Sequence, residues 1–131
     1  MNSELDGWEA FLEEGRAYHK TAQRSVRRPE VFTPAIIQNI AAMGIEKYFM
    51  AIFMHRGILP RNHTMVDLLE EARAFLRIRP DLEATLRYMD SLQQICSLDA
   101  IETHEPSRAD VPRFIEAMTM VSELARKELR A

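Results

Sequence analysis

Basic side chains recur every four residues near the start of the chain, at Arg16, Lys20 and Arg24, and continue at Arg27 and Arg28. Residues four apart on a helix project from one side, so the first three form a charged stripe. Such a stripe can contact a phosphate, an RNA or an acidic patch on a partner protein. A solvated helix face is the simpler interpretation and the one we favour. Arg24, Arg27 and Arg28 are retained as candidate phosphate-binding residues.

A second candidate site lies in the predicted loop before the last helix, where His104 is followed by Arg108. A loop that leads into a helix can bind an anion, because the first backbone N–H groups of the helix are unpaired there. Histidine can move a proton and arginine can stabilise charge on a phosphate, so the pair could bind or cleave a phosphodiester. An ordinary surface loop that carries charged residues is the alternative.

The remaining residues with metal-binding or nucleophilic chemistry are dispersed. The four histidines, His19, His55, His63 and His104, form no His-x-x-x-His or Glu-x-x-His pair. A structural zinc site takes four ligands in which Cys and His dominate. Cys96 is the only cysteine, which excludes an internal disulfide and indicates a reducing compartment. The sequence therefore predicts no metal site and no cofactor.

Length and composition are those of one ordinary globular domain that spans residues 1–131, with 47% hydrophobic and 28% charged residues. The formal net charge of −3 argues against tight, non-specific binding of nucleic acid, which usually needs a basic domain. No apolar run reaches the roughly 20 residues that cross a bilayer, and the N-terminal residues lack the pattern of a signal peptide. We expect a cytoplasmic protein that does not contact a membrane.

Helical periodicity and capping residues place five helices along the chain and leave no convincing strand. Asp6, Thr33 and Thr64 are the expected N-caps of the first three helices. The fourth helix follows Pro80, and the last has Pro112 in its first turn. Short connections favour antiparallel neighbours, so the predicted fold is an all-α, up-down antiparallel bundle of about five helices.

The second helix, residues 33–56, is apolar around most of its circumference. A surface helix shows a single apolar stripe, so a helix that is apolar nearly all round is buried on more than one side. In a chain of this size, that predicts a helix at the centre of the bundle, at a subunit interface, or both. We expect a homodimer whose interface uses Ile45, Phe49, Ile52 and Phe53, some of which must also face the core of their own subunit.

An ordered series of short patterns runs through the middle of the chain. The apolar helix carries Glu46-Lys47 and reaches a turn at Gly57, and a His-x-x-x-Leu-Leu-like helix start follows at His63. This series resembles HEPN domains, and residues 98–106 are similar to the loop before the last helix in that family. The resemblance implies a compact all-α bundle, often homodimeric. It also implies a role beside a small nucleotidyltransferase, in nucleotide binding, or as the RNase toxin of a toxin–antitoxin pair.

The RNase branch of that family has an arginine and a following histidine with four to six residues between them, shortly ahead of the last helix. Arg56 and His63 match this spacing but lie between the second and third helices, where a role at the helix ends explains them better. No arginine precedes His104 at that spacing, and Arg108 follows it instead. We therefore expect a non-catalytic binding module that partners a nucleotidyltransferase or binds nucleotide or RNA, and the resemblance implies that it is a homodimer. A metal-independent ribonuclease that uses His104 and Arg108 is the alternative.

Overall fold

The computed structural model describes residues 7–93 and 105–130, and within these ranges the chain is helical and contains no strand. The α-helices are α1 (Trp8–Ser25), α2 (Pro34–His55), α3 (Met65–Ala72), α4 (Pro80–Gln93) and α5 (Val111–Arg130), and a 3₁₀ turn (Arg108–Asp110) directly precedes α5. None of the described helices is long and apolar enough to cross a membrane. The predicted all-α class with five helices is confirmed.

Local sequence decides where the helices begin. The side chains of Thr33 and Thr64 each accept a hydrogen bond of 3.2 Å from the backbone N–H three residues further on. Both predicted N-caps are therefore confirmed, because this bond pairs one of the free donors of the first turn. Pro80 is the first residue of α4, where its missing N–H costs nothing. The predicted cap Asp6 lies outside the described residues.

Helix α2 is the centre of the bundle, and twelve of its 22 residues are buried. Ile45, Phe49, Ile52 and Phe53 are each 0% exposed within the single chain. The structure corrects their assignment to a dimer interface, because side chains enclosed by their own subunit offer no surface to a second copy. The prediction of a homodimer is not decided by their burial and stays a prediction.

Helix α1 runs antiparallel to α2, and the two pack closely. Trp8 at the start of α1 meets His55 at the end of α2, with ring centroids 5.0 Å apart. Near the middle, a Cβ atom on Gly44 would lie 3.7 Å from the carbonyl oxygen of Gly15. Low residue numbers of one helix thus meet high numbers of the other, as the up-down prediction requires.

Helix α4 is likewise antiparallel to α5. The hydroxyl of Tyr88 donates to Asp110 at 2.9 Å, and Nε of Arg113 donates to Thr85 at 3.2 Å. Arg113 also lies over the Tyr88 ring, 4.8 Å from its centroid. These contacts hold the start of α5 against the middle of α4.

The connection between α2 and α3 departs from the predicted alternation. Met65, at the start of α3, lines the same small cavity as Met43. Phe75, after the end of α3, packs against Phe53 with ring centroids 5.6 Å apart. The start of α3 therefore lies beside Met43, and the residues after its end lie beside Phe53, ten positions further along α2. Helix α3 thus runs parallel to α2. The connecting residues 57–64 can return along α2 because extended chain covers about 3.3 Å per residue, roughly twice the rise of a helix.

Candidate functional site

One histidine joins three helices of the bundle. Nδ1 of His19 in α1 lies 3.1 Å from the hydroxyl oxygen of Tyr48 in α2, and its Nε2 lies 3.2 Å from Oγ1 of Thr119 in α5. The His19 and Tyr48 rings meet edge to face, with centroids 6.0 Å apart. The three side chains form a polar cluster at the edge of the apolar core. Tyr48 is its buried member and is only 2% exposed, whereas His19 is half-buried.

Two glycines make this cluster possible. Gly15 lies one turn before His19, and a Cβ atom there would come within 2.9 Å of the Tyr48 ring. Gly44 lies one turn before Tyr48, and a Cβ atom there would come within 2.5 Å of the terminal methyl of Met118. Glycine inside a helix costs about 1 kcal/mol relative to alanine. Here the absent side chains let the Tyr48 ring lie against α1 and bring its hydroxyl to His19.

The hydrogen-bond network assigns the proton positions in the cluster. The Thr119 hydroxyl donates to the carbonyl of Ile115 at 3.1 Å, so its oxygen accepts from His19. Nε2 of His19 therefore carries the proton, and Nδ1 accepts from the Tyr48 hydroxyl. This tautomer gives each of the three donors an acceptor, whereas the other leaves the Tyr48 hydroxyl without one in the network.

Burial keeps both titratable members of the cluster uncharged. Desolvation lowers the pKa of His19 below that of a free histidine side chain. Desolvation raises the pKa of Tyr48, and the positive charge of Arg16 opposes that rise in part. At neutral pH the cluster therefore consists of a neutral imidazole and a neutral phenol, beside the guanidinium of Arg16.

The cluster opens onto a surface cavity of about 550 Å³. Its lining includes Arg16, His19, Lys20 and Tyr48, together with the carboxylate of Glu13. Arg16 pairs with Glu13 at 3.4 Å, and both side chains are largely exposed. Within residues 7–93 and 105–130, Lys20 forms no ion pair. Its charge is therefore available to a ligand.

A second cavity of about 310 Å³ adjoins the first and shares Arg16 and Tyr48 with it. It lies between α1 and α5, and its lining includes Trp8, Leu12 and Leu129 as well as Arg126 and Arg130. We call the two cavities together the Tyr48 groove. Its cations, Arg16, Lys20, Arg126 and Arg130, outnumber its carboxylates, Glu13 and Glu123, by four to two. The groove thus has an excess of positive charge, and its second cavity adds an aromatic ring and two leucines to the lining.

The basic stripe seen in the sequence divides at this groove. Arg16 and Lys20 line it, whereas Arg24, Arg27 and Arg28 are exposed and belong to neither of its cavities. The Arg28 guanidinium lies 3.5 Å from the carboxylate of Glu30. Both side chains are largely exposed, so water weakens the attraction between their charges.

Arg108 has a structural role in the described part of the chain. Its guanidinium donates to the carbonyl of Phe32 at 3.1 Å and to that of Pro29 at 3.3 Å. These bonds tie the 3₁₀ turn before α5 to the connection between α1 and α2, and they bring Arg108 close to the segment that follows Arg28. His104, its predicted partner, lies outside the described residues.

The structure separates the other Arg and His pair. Arg56 lies over the ring of Phe75 at 4.3 Å from its centroid, and its guanidinium contacts Glu128 at 2.7 Å. His63 lines a small cavity with Glu46, nearer the middle of α2. Ten residues of helix separate these two positions, or about 15 Å. Arg56 and His63 therefore do not act on one phosphate.

Sequence reasoning considered His19 only as a metal ligand and did not foresee its pairing with Tyr48 and Thr119. The available signal was the pair of glycines, Gly15 and Gly44, inside otherwise regular helical patterns. A glycine at such a position marks a close approach by another part of the chain.

Within the described residues, no group of three or more His, Cys, Asp or Glu side chains is arranged to hold a metal ion. No protein-family model matches the sequence, and no curated protein or solved structure matches the chain. A function for this protein therefore has to be inferred from its own residues.

Proposed function

We propose that this chain is a non-catalytic binding module that holds a phosphate-bearing ligand, in the first instance a nucleotide, in the Tyr48 groove. The observation that carries the proposal is the convergence of Arg16 and Lys20 on a cavity that also contains His19 and the Tyr48 hydroxyl. Arginine and lysine are the usual phosphate-binding side chains.

The two halves of the groove suit the two halves of a nucleotide. The first cavity offers the charges of Arg16 and Lys20 to phosphate oxygens. The lining of the second cavity includes Trp8, Leu12 and Leu129, and a nucleobase can stack on an aromatic ring or lie on aliphatic carbon. Arg126 and Arg130 also line the second cavity and add positive charge.

The hydrogen bonds of the cluster favour binding over catalysis. A general base needs a free lone pair at neutral pH, and both ring nitrogens of His19 are already engaged. The raised pKa of Tyr48 keeps its phenol protonated and weakly nucleophilic. The alternative, a ribonuclease that uses His104 and Arg108, finds no support in Arg108, because its guanidinium is held by two backbone carbonyls.

A homodimer and a nucleotidyltransferase partner remain part of this proposal and come from the HEPN resemblance. The outer face of α2 offers a surface for such contacts. Ile36 and Met43 are 42% and 41% exposed, and Ile40 lies between them on the same side of the helix. Exposed large apolar side chains at this spacing are typical of a helix that packs on a partner.

Isothermal titration calorimetry with ATP and with inorganic tripolyphosphate tests the ligand proposal. We expect saturable binding of both, and we expect Lys20→Gln to weaken it about tenfold, since a charge-assisted hydrogen bond is worth about 1.5–3 kcal/mol. Arg24→Gln is the matched control, because it removes the same charge from the same helix one turn beyond the groove. The proposal is wrong if neither compound binds at millimolar concentration, or if the two variants weaken binding equally.

A further inference from the structure

The hydroxyl of Tyr48 has one proton to donate, and His19 uses it. With His19 neutral, the Tyr48 O–H donates to Nδ1 across 3.1 Å. The Tyr48 oxygen can then only accept further hydrogen bonds. Phosphate and sulfate oxygens need donors, so the hydroxyl is of no use to an anion in this state.

Protonation of His19 reverses that bond. Nδ1 gains a hydrogen and must donate to the Tyr48 oxygen, while Nε2 continues to donate to Thr119. The Tyr48 O–H can no longer point at His19 and turns to the cavity that Tyr48 lines. One proton therefore adds a positive charge to the groove and also frees a hydroxyl donor there.

We infer that anion binding in the Tyr48 groove is coupled to proton uptake by His19, with the Tyr48 hydroxyl as the element that changes partner. The inference rests on the proposed function and concerns the regulation of the same site. Coupling of this kind is reciprocal: a proton on His19 strengthens anion binding, and a bound anion strengthens proton binding to the same degree.

The charges around His19 have the arrangement that such coupling needs. Glu13, Arg16 and Lys20 from α1 and Tyr48 from α2 line the cavity together with His19. From α5, Glu123 and its ion-pair partner Arg126 line the adjoining cavity. Burial disfavours the charged form of His19 in the empty site. An anion bound beside Arg16 and Lys20 attracts the imidazolium, so His19 becomes easier to protonate when the groove is filled.

Sulfate is the probe for this coupling, because its charge does not change between about pH 5 and pH 8, whereas that of phosphate does. A change in sulfate affinity over this range therefore reports protonation of the protein and not of the ligand. We expect the affinity for sulfate to rise about tenfold as the pH falls across this range, where a histidine changes charge. In NMR spectra of the histidine-labelled protein, we expect added sulfate to raise the pKa of His19. His55 and His63 serve as internal references.

Two variants test the role of the hydroxyl. Tyr48→Phe keeps the ring that packs on Gly15 and removes only the hydroxyl. We expect the pH dependence of sulfate binding to shrink in this variant to the part that the positive charge of His19 supplies. Tyr88→Phe removes a phenol hydroxyl from α4 instead, and this control variant should retain the pH dependence of sulfate binding. Circular dichroism establishes that each variant is folded, and the sulfate dependence of the His19 pKa in the wild-type protein needs no variant.

The outcomes distinguish the inference from the function on which it rests. Sulfate binding that is independent of pH, with an unchanged pKa of His19, would overturn the coupling and leave the proposed anion site intact. Full pH dependence in Tyr48→Phe would overturn the role of the hydroxyl. An absence of sulfate binding throughout the pH range, together with an absence of tripolyphosphate binding, would overturn both proposals.

Discussion

The hydroxyl oxygen of Tyr48 lies 3.1 Å from Nδ1 of His19, across the tight contact between α1 and α2. Tyr48 is 2% exposed, so the polar cluster is anchored in the core by its aromatic ring. His19 extends the connection to Thr119 on α5. A change in this one contact should therefore affect the packing of all three helices and the lining of the groove.

Gly15→Ala should destabilise the fold although alanine is the better helix former. The new methyl group would lie 2.9 Å from the Tyr48 ring, and overpacking of this kind costs about 1–3 kcal/mol. Urea unfolding followed by circular dichroism measures the effect. Ala10→Gly, at an exposed position of the same helix, is the reference for helix propensity alone and should cost about 1 kcal/mol. A Gly15→Ala protein more stable than wild type would contradict the close packing described for this position.

Stability should fall as the pH drops below about 6.5, the pKa of a free histidine. Burial lowers the pKa of His19 in the folded state, so the unfolded chain takes up this proton first. The contribution of His19 is therefore fully present above the unfolded-state pKa and is lost as the pH falls through the folded-state value. Unfolding free energies measured at a series of pH values should show this step in the wild-type protein and a smaller one in His19→Gln. Equal slopes for the two proteins would show that His19 does not titrate differently on folding.

Arg108→Gln should reduce stability by about 1 kcal/mol and leave ligand binding unchanged. The substitution removes hydrogen bonds to the carbonyls of Phe32 and Pro29, and exposed bonds of this kind contribute about 0.5–1.5 kcal/mol each. Thermal unfolding and a tripolyphosphate titration provide the two measurements. Arg24→Gln, which removes an equal charge elsewhere on the surface, should leave stability nearly unchanged. Loss of ligand binding without loss of stability would instead place Arg108 in a binding site.

Phe49→Asp and Met43→Asp should have different effects. Phe49 is 0% exposed, so a carboxylate there should unfold the subunit at a cost above about 3 kcal/mol. Met43 is 41% exposed, so Met43→Asp should leave the subunit folded and split a dimer that forms through the outer face of α2. Circular dichroism and multi-angle light scattering measure folding and mass. A wild-type monomer would count against the homodimer, and an unchanged dimer in Met43→Asp would exclude this face as its interface.

The helices themselves could be predicted because their signals are local. Thr33 and Thr64 bond to backbone groups three residues away, and the apolar circumference of α2 identifies it as the central helix without reference to any partner. The same burial was open to two interpretations. A sequence pattern shows that Phe49 avoids water but not whether its own subunit or a second one covers it.

The site depended on the tertiary structure for a physical reason. His19 meets Tyr48 from 29 residues away and Thr119 from 100 residues away in the chain, and no periodicity within one helix encodes such a distance. The direction of α3 was decided in the same way, by how residues 57–64 return along α2. Capping and helical periodicity depend on neighbours within about one turn, so the sequence by itself determined the helices and their apolar faces. The meeting of His19 with Tyr48 depends on how closely two whole helices approach, and only the packed bundle decided that distance.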